Sequence, residues 1–302
     1  MMGYYILAIL AVFFWSFNVI IGVWLRDVLL PWQIAFFRWF IAAAVLLPWT
    51  IKDLIRHRKT LWQNADLIFW VSLIGIAFSN TCVYYAAYTV SAVDMSLISV
   101  TGPVFLLLFS RLFDGFRLTG RQRLGLGLTI IGLFFVLLHG RFSRLSQLHF
   151  ATGDLWMLGM AASFGLYSFL MSKKPRRIGQ ATLLSLTVFI GMLLTIPLFI
   201  PECYINPLTA RNMTPEVVAA MLGLGIFNSV LAYLFWNISL NNLGNLRAGS
   251  LYYLMPVFST LEARFILNEP VFAAQIFGGL VILIGIFLTN ARRPDSLRFE
   301  RP

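Results

Sequence analysis

Apolar residues run along this chain in long continuous blocks, separated by short clusters of charge, proline or asparagine, without alternation of apolar and polar positions. Dividing the longest blocks at those clusters predicts helices near residues 4–25, 32–51, 66–88, 92–112, 122–140, 153–172, 181–200, 216–239, 248–267 and 272–290. Each holds about 20 residues, which at 1.5 Å per residue crosses the roughly 30 Å hydrocarbon core of a bilayer. In hydrocarbon, backbone amides must be satisfied within their own segment, and blocks without a dyad repeat exclude a β-barrel. The first block, Tyr4 to Leu25, has no basic lead-in and no small-x-small cleavage site, so it is expected to stay attached as a helix.

Composition removes the water-soluble alternative. Of 302 residues, 59% are hydrophobic and 12% charged, with a mean hydropathy of +0.82. That is too little charge to cover a core of this size. A formal charge of +11 and an isoelectric point near 10.1 would suit nucleic-acid binding only if the basic residues formed a stripe, and they lie instead between the apolar blocks. With both termini cytoplasmic, 17 Lys and Arg fall on the inner side and five on the outer, with Arg38 inside the second helix. That asymmetry sets the orientation and favours an even helix count. Of the two cysteines, Cys82 reads as a packed thiol and Cys203 as a lone thiol in a loop.

Self-comparison finds one pattern twice. Pro103, Gly125 and Gly132 recur as Pro256, Gly278 and Gly285, each displaced by 153 residues, and Gly75-x-x-x-Ser79 recurs as Gly225-x-x-x-Ser229, displaced by 150. Each copy holds five spans, an odd number, so the second copy enters the membrane from the opposite face. The prediction is an all-α integral membrane protein: ten transmembrane helices in two inverted five-helix repeats, residues 1–142 and 143–302, both termini cytoplasmic.

These residues resemble the drug/metabolite transporter superfamily, specifically ten-helix proteins with two EamA-type repeats. The resemblance is carried by Trp15 in helix 1, Arg38 in helix 2, Pro103 and Pro256, the Asn268-Glu269 turn, and the Gly125/Gly132 and Gly278/Gly285 spacings. The first repeat departs from the pattern, because Phe116 stands where Glu269 stands in the second, so no glutamate role is carried into the first half. The resemblance implies a multi-pass secondary transporter of the bacterial inner membrane that exports small metabolites, with helices 5 and 10 peripheral to a central cavity. Within the superfamily the chain looks most like the aromatic amino-acid exporters. The alternatives are a multidrug or other metabolite efflux carrier of the same fold, or a passive channel.

No phosphate-cradling G-x-x-x-x-G-K-[ST] motif is present, so movement must be downhill, exchange-driven or ion-coupled. Charges inside a membrane are costly, which singles out Arg38 and Glu262 as gating or coupling residues, or as a structural clamp or snorkelling arginine, and a pair between them would lower that cost; Asp94 lies near the boundary, where exposure to water is the default, and His139 at a helix end. Pro103 and Pro256 each interrupt a helical hydrogen bond at equivalent depth and read as paired hinges or static bends. Substrate contacts are sought on faces set by helical spacing: Trp15 with Asn18; Asn80 with Tyr84; Ser96, Ser99 and Pro103; Phe164 with Tyr167; Ser229, Tyr233 and Trp236; and Gly249, Tyr253 and Pro256; Ser79 and the amide of Asn228 join them as candidates. The competing roles are lipid contact for the aromatics and helix-joining hydrogen bonds for the asparagines. His57, His139 and His149 form no metal or acid–base motif, so neither enzyme activity nor cofactor is expected. The partners implied are a small-molecule substrate and the lipid bilayer, without nucleic acid, for a monomer or homodimer.

Overall fold

A computed structural model describes residues 2–115, 119–137, 151–173, 178–243 and 251–290. Phe116, His139, His149 and Gly249 lie outside the described residues. Among the described residues every regular element is helical. Seven spans are long and apolar enough to cross a membrane. They are α1 (Met2–Leu25), α2 (Pro31–Arg56), α4 (Ala65–Ala86), α5 (Ala92–Asp114), α7 (Thr152–Ser172), α8 (Gln180–Ile205) and α9, which is built from Pro215–Gly223, Leu224–Leu231 and Ala232–Leu243. At the other three positions predicted to span, the described helices are α6 (Gly120–Leu137), α10 (Met255–Ile266) and α11 (Ala273–Asn290). A short helix absent from the sequence reading, α3 (Arg58–Trp62), joins α2 to α4. Trp49, Trp62 and Trp70 are exposed within about two turns of a helix end, as amphipathic rings at a membrane surface should be.

Two features escape hydropathy. Val71–Phe78 of α4 and Leu224–Leu231 of α9 are π-helical, and both boundaries of the pair lie 153 residues apart. A π turn leaves the ordinary ladder loose, and side chains complete it: Asn80 Nδ2 donates to the Gly75 carbonyl at 3.2 Å and Ser229 Oγ to the Leu224 carbonyl at 2.9 Å, each five residues back. The second feature corrects the proline reading. α5 breaks at Val100–Thr101, and Pro103 sits in the first turn of the renewed helix Gly102–Asp114. The side chain of Pro103 lies outside the described residues. A 3-10 turn, Tyr252–Leu254, leads into α10, where Pro256 again occupies the first turn. In a first turn the N–H that proline lacks is not needed, so these prolines start helices rather than interrupt them.

One end of the bundle is laced by hydrogen bonds between elements far apart in sequence. α8 continues through Pro197 and Pro201 to Ile205, which puts Cys203 on a helix rather than in a loop and brings Glu202 over the start of α2. Glu202 Oε2 accepts the backbone N–H groups of Trp32 at 2.8 Å and Gln33 at 3.0 Å, and Gln33 Nε2 donates to the Asn206 carbonyl at 2.7 Å. A carboxylate on a helix N-terminus satisfies orphan amides and meets the positive end of the dipole. Glu202→Gln is expected to cost about 1–2 kcal/mol, read as a lower melting temperature in detergent. Nearby, Arg26 donates to the Ala87 carbonyl, and Gly153 N–H donates to Thr89 Oγ1 at 2.9 Å.

At the same end Glu269 accepts the Ala92 N–H at 3.1 Å, from a turn in which Asn268 takes φ 55, a left-handed value that asparagine tolerates. Burial pushes the Glu269 carboxyl above its ordinary range, opposed by the Ala92 and Val93 amides it caps. Asp94, predicted to be water-exposed at the boundary, is buried: Gln275 Nε2 donates to Oδ1 at 2.8 Å and Ser91 Oγ to Oδ2 at 2.8 Å. α6 and α11 pack backbone to backbone through the repeated glycines. A Cβ at Gly132 would stand 2.8 Å from Ile282 N, and one at Gly285 would stand 2.6 Å from the Gly125 carbonyl.

Candidate functional site

Two linked groups occupy the interior. The first is built around Arg38 of α2, which is 1% exposed. Its Nε donates to Ser229 Oγ at 2.7 Å, and one terminal nitrogen donates to Asn18 Oδ1 at 2.7 Å and to the Tyr84 hydroxyl at 3.0 Å. The Tyr84 hydroxyl in turn donates to Asn18 Oδ1 at 3.0 Å, and Ser229 passes its hydrogen to the Leu224 carbonyl. The chain of donors through Arg38 Nε, one terminal nitrogen, Tyr84 and Ser229 ends on the Asn18 Oδ1 and Leu224 carbonyl oxygens. The guanidinium also lies 4.7 Å from the Trp39 ring centroid. All three oxygens touching it belong to neutral side chains, and among the described residues the ion pairs are Arg26–Asp27 and Lys173–Asp114. Arg38 is thus solvated by the protein but not neutralised.

Arg38 and Glu262 do not pair. Glu262 stands on the far side of α1, 2.7 Å from Ser16 Oγ. The reason is helical geometry: Asn18 and Ser16 are two residues apart, which turns them about 200° around the axis. Arg38 meets one face of α1 and Glu262 nearly the opposite one.

The second group is aromatic. Trp15 lies 5.3 Å from Tyr233, 5.3 Å from Trp236 and 6.0 Å from Tyr252, centroid to centroid. Phe164 stacks on Tyr252 at 5.9 Å and on Tyr167 at 6.0 Å. Four helical elements meet here: α1, α7, α9 and the turn before α10. Sequence spacing located Trp15, Phe164, Tyr167, Tyr233 and Trp236 but chose Tyr253, whereas the ring that meets Trp15 is Tyr252. The 3-10 turn supplies the cause, since it rotates successive side chains by about 120° instead of 100°. Tyr253 packs partly buried against the main core.

The two groups are one turn apart on α9, where Ser229 touches Arg38 and Tyr233 faces Trp15. Asn228 clamps α1 to α9, with Trp15 Nε1 donating to its carbonyl at 3.2 Å and its own amide donating to the Phe14 carbonyl. Asn228→Ala is expected to cost about 1 kcal/mol, because the backbone partner of Trp15 survives while the amide bond is lost; thermal unfolding in detergent reads it. Of the remaining predicted residues, Asn80 donates to the Gly75 carbonyl of its own helix and also hydrogen-bonds Tyr233, Ser99 donates to the Ser96 carbonyl at 2.7 Å and also hydrogen-bonds Tyr252, and Ser79 is buried. Sequence reading missed Ser16, Gln33 and Glu202, whose partners are more than 160 residues distant, and weighed Ser229 only for its spacing. A cavity of about 440 Å³ lies at the laced end beside Tyr85, Trp156 and Glu202, and none of its lining residues belongs to the predicted site.

Apolar spans enclosing a buried polar and aromatic centre are the build of a multi-pass membrane transporter. A model described as the EamA-like transporter family matches residues 2–138 and 151–291, and the chain belongs to that family, within the drug/metabolite transporter superfamily. It is 26% identical over 265 residues to an uncharacterised transporter of Archaeoglobus fulgidus, covering 87% of this chain and 89% of the relative. It is 22% identical over 294 residues to a probable amino-acid metabolite efflux pump of Escherichia coli, covering 94% and 93%. A solved crystal structure shares the fold with a TM-score of 0.64 at 17% identity, covering 95% of this chain and 96% of the other.

Proposed function

We propose that the protein exports amino acids with aromatic or other apolar side chains, or closely similar metabolites, across the bacterial inner membrane by alternating access. The observation that carries this reading is the fixed, un-neutralised charge of Arg38 one helical turn from an aromatic cluster. In a low-dielectric interior that charge attracts a carboxylate, while rings of Trp15, Phe164, Tyr233, Trp236 and Tyr252 offer stacking surface to an apolar side chain. Asn18, Asn80, Ser99 and Tyr167 supply further polar edges. The relative described as an amino-acid metabolite efflux pump points the same way.

In this reading ten helices form two inverted repeats, residues 1–142 and 143–302, with both termini cytoplasmic, and rocking of one half against the other opens the centre to each side in turn. The paired π segments and the paired breaks before Pro103 and Pro256 support it, because both devices recur at a displacement of 153 residues. The laced end is then the outer one, and this conformation is closed to the outside.

The test is efflux from proteoliposomes loaded with a panel of amino acids, with and without a pH gradient. Saturable efflux accelerated by external substrate is expected. Trp15→Ala and Tyr252→Ala are each expected to raise the half-saturation concentration of aromatic substrates about tenfold, the equivalent of 1.4 kcal/mol. Linear, unsaturable flux would make the protein a channel, and unchanged half-saturation in both variants would move the site elsewhere.

A further inference from the structure

The contact between Ser16 and Glu262 holds one more oxygen than a single hydroxyl hydrogen can serve. Ser16 Oγ stands 2.7 Å from the Phe13 carbonyl oxygen and 2.7 Å from Glu262 Oε1. A carbonyl only accepts, and serine has one hydrogen. If that hydrogen goes to Phe13, the second short contact needs a hydrogen from the carboxyl; if it goes to Glu262, the Phe13 contact becomes two lone pairs face to face. A neutral Glu262, with Oε1–H donating to Ser16 Oγ, satisfies both contacts. The other carboxyl oxygen gives an independent argument. Glu262 is 7% exposed, and its Oε2 is buried without a hydrogen-bond partner. A bare carbonyl oxygen in an apolar site costs far less than a bare oxyanion.

Among the described residues no cation pairs with Glu262. α1 presents Ser16, and the start of α5 presents Asp94, already held by Gln275 and Ser91. The loop after α10 carries Glu269, spent on the Ala92 amide. Arg264 on α10 itself is exposed, and Arg38 lies across α1 with Asn18, Tyr84 and Ser229. Arg26, at the outer end of α1, donates to the Ala87 carbonyl and faces Glu269, so it too is engaged away from Glu262.

We propose that Glu262 is a proton-binding site that fastens the outer seam between α1 and α10, and that loss of its proton opens the seam. The proposal rests on the alternating-access reading above. Ser16 belongs to the first half and Glu262 to the second, so their hydrogen bond crosses the interface that must part. Glu262 lies four residues before Ile266, the last residue of α10, or about 6 Å at 1.5 Å per residue, close enough for outside water to reach it once the seam separates. In the open seam the carboxylate is hydrated. When it takes a proton from that water on Oε1, the new O–H donates to Ser16 Oγ, while the hydroxyl hydrogen of Ser16 stays on the Phe13 carbonyl. Proton binding and outer closure then favour each other equally, as linkage requires. An exporter with this device admits a proton from outside on closing and hands it inward before taking its next substrate.

Two measurements on the full chain test this without a substrate. Infrared difference spectra of the reconstituted protein over a pH titration should show the carbonyl stretch of a protonated carboxylic acid at neutral pH, lost on alkalinisation and missing from Glu262→Gln. Spin labels at Asp27→Cys and Phe265→Cys, in a Cys203→Ser background, should report a short distance at low pH that lengthens as pH rises. In Glu262→Gln, whose amide still donates to Ser16, the distance should stay short at every pH. Ser16→Ala, which keeps the carboxyl but removes its acceptor, should open at lower pH than the parent. An unchanged carboxyl band in Glu262→Gln, or pH-driven lengthening that survives in it, overturns the proposal. Failure of the carrier reading has a different signature, since unsaturable flux in the liposome assay condemns that reading whatever the spectra show.

Discussion

Arg38→Gln is expected to lower transport about a hundredfold or more and to destabilise the fold by about 3 kcal/mol. The two losses have separate origins. Structurally, Asn18 Oδ1, the Tyr84 hydroxyl and Ser229 Oγ all accept from one guanidinium, so its removal strands buried acceptors on three helices, α1, α4 and α9. Each stranded group costs about 1–3 kcal/mol before rearrangement, and the Tyr84–Asn18 bond that survives recovers part of it. Functionally, the variant removes the positive charge beneath the aromatic cluster, which in a low dielectric is felt by a carboxylate without direct contact. Arg38→Lys separates the two. An ammonium keeps the charge but, as a compact point, cannot hold the planar fork that reaches Ser229 on one side and Asn18 with Tyr84 on the other. It should retain more transport than glutamine while gaining little stability. Melting temperature in detergent together with proteoliposome efflux checks both, and equal transport in the two variants would remove the charge from the mechanism.

The second large effect is expected at Gly132 and Gly285, far from the site. Either glycine replaced by leucine should prevent α6 and α11 from docking, so that purified protein elutes as aggregate or unfolds below room temperature. Even a single Cβ at Gly285 would meet the Gly125 carbonyl and the Thr129 amide, each at 2.6 Å, and backbone cannot rotate out of the way as a side chain can. Alanine at either position is expected to cost about 1–3 kcal/mol, the usual penalty of overpacking. Gly127, with nothing within 4 Å of its added Cβ, is the control: Gly127→Ala should be neutral or slightly stabilising, through the better helix propensity of alanine. Size-exclusion profiles and melting curves of the three alanine variants read the difference. If Gly132→Ala and Gly285→Ala behaved like Gly127→Ala, α6 and α11 would not be packed as the structure has them.

Along this chain, local information was sufficient for what depends on solvent. Continuous apolar blocks had to become helices because lipid offers a backbone no hydrogen bonds, and Gly132, Gly285 and the paired prolines marked close packing and helix breaks, although the prolines open helices rather than interrupt them. Arg38 and Glu262 stood out in the sequence for the same reason, as charges placed where charge is expensive. Their partners did not. Whether Arg38 met Glu262 or Asn18 depended on which face of α1 each approached, and the choice of Tyr252 over Tyr253 depended on one tightened turn. The π segments in α4 and α9 likewise leave no hydropathy signal, because they change the register of side chains and not their polarity. Residue type and spacing therefore decided what had to be buried, while the rotation and depth of each helix against its neighbours decided which buried groups touch. Those rotations follow from contacts between different helices, from 20 positions apart for Arg38 with Asn18 to 246 for Ser16 with Glu262, which no local pattern contains.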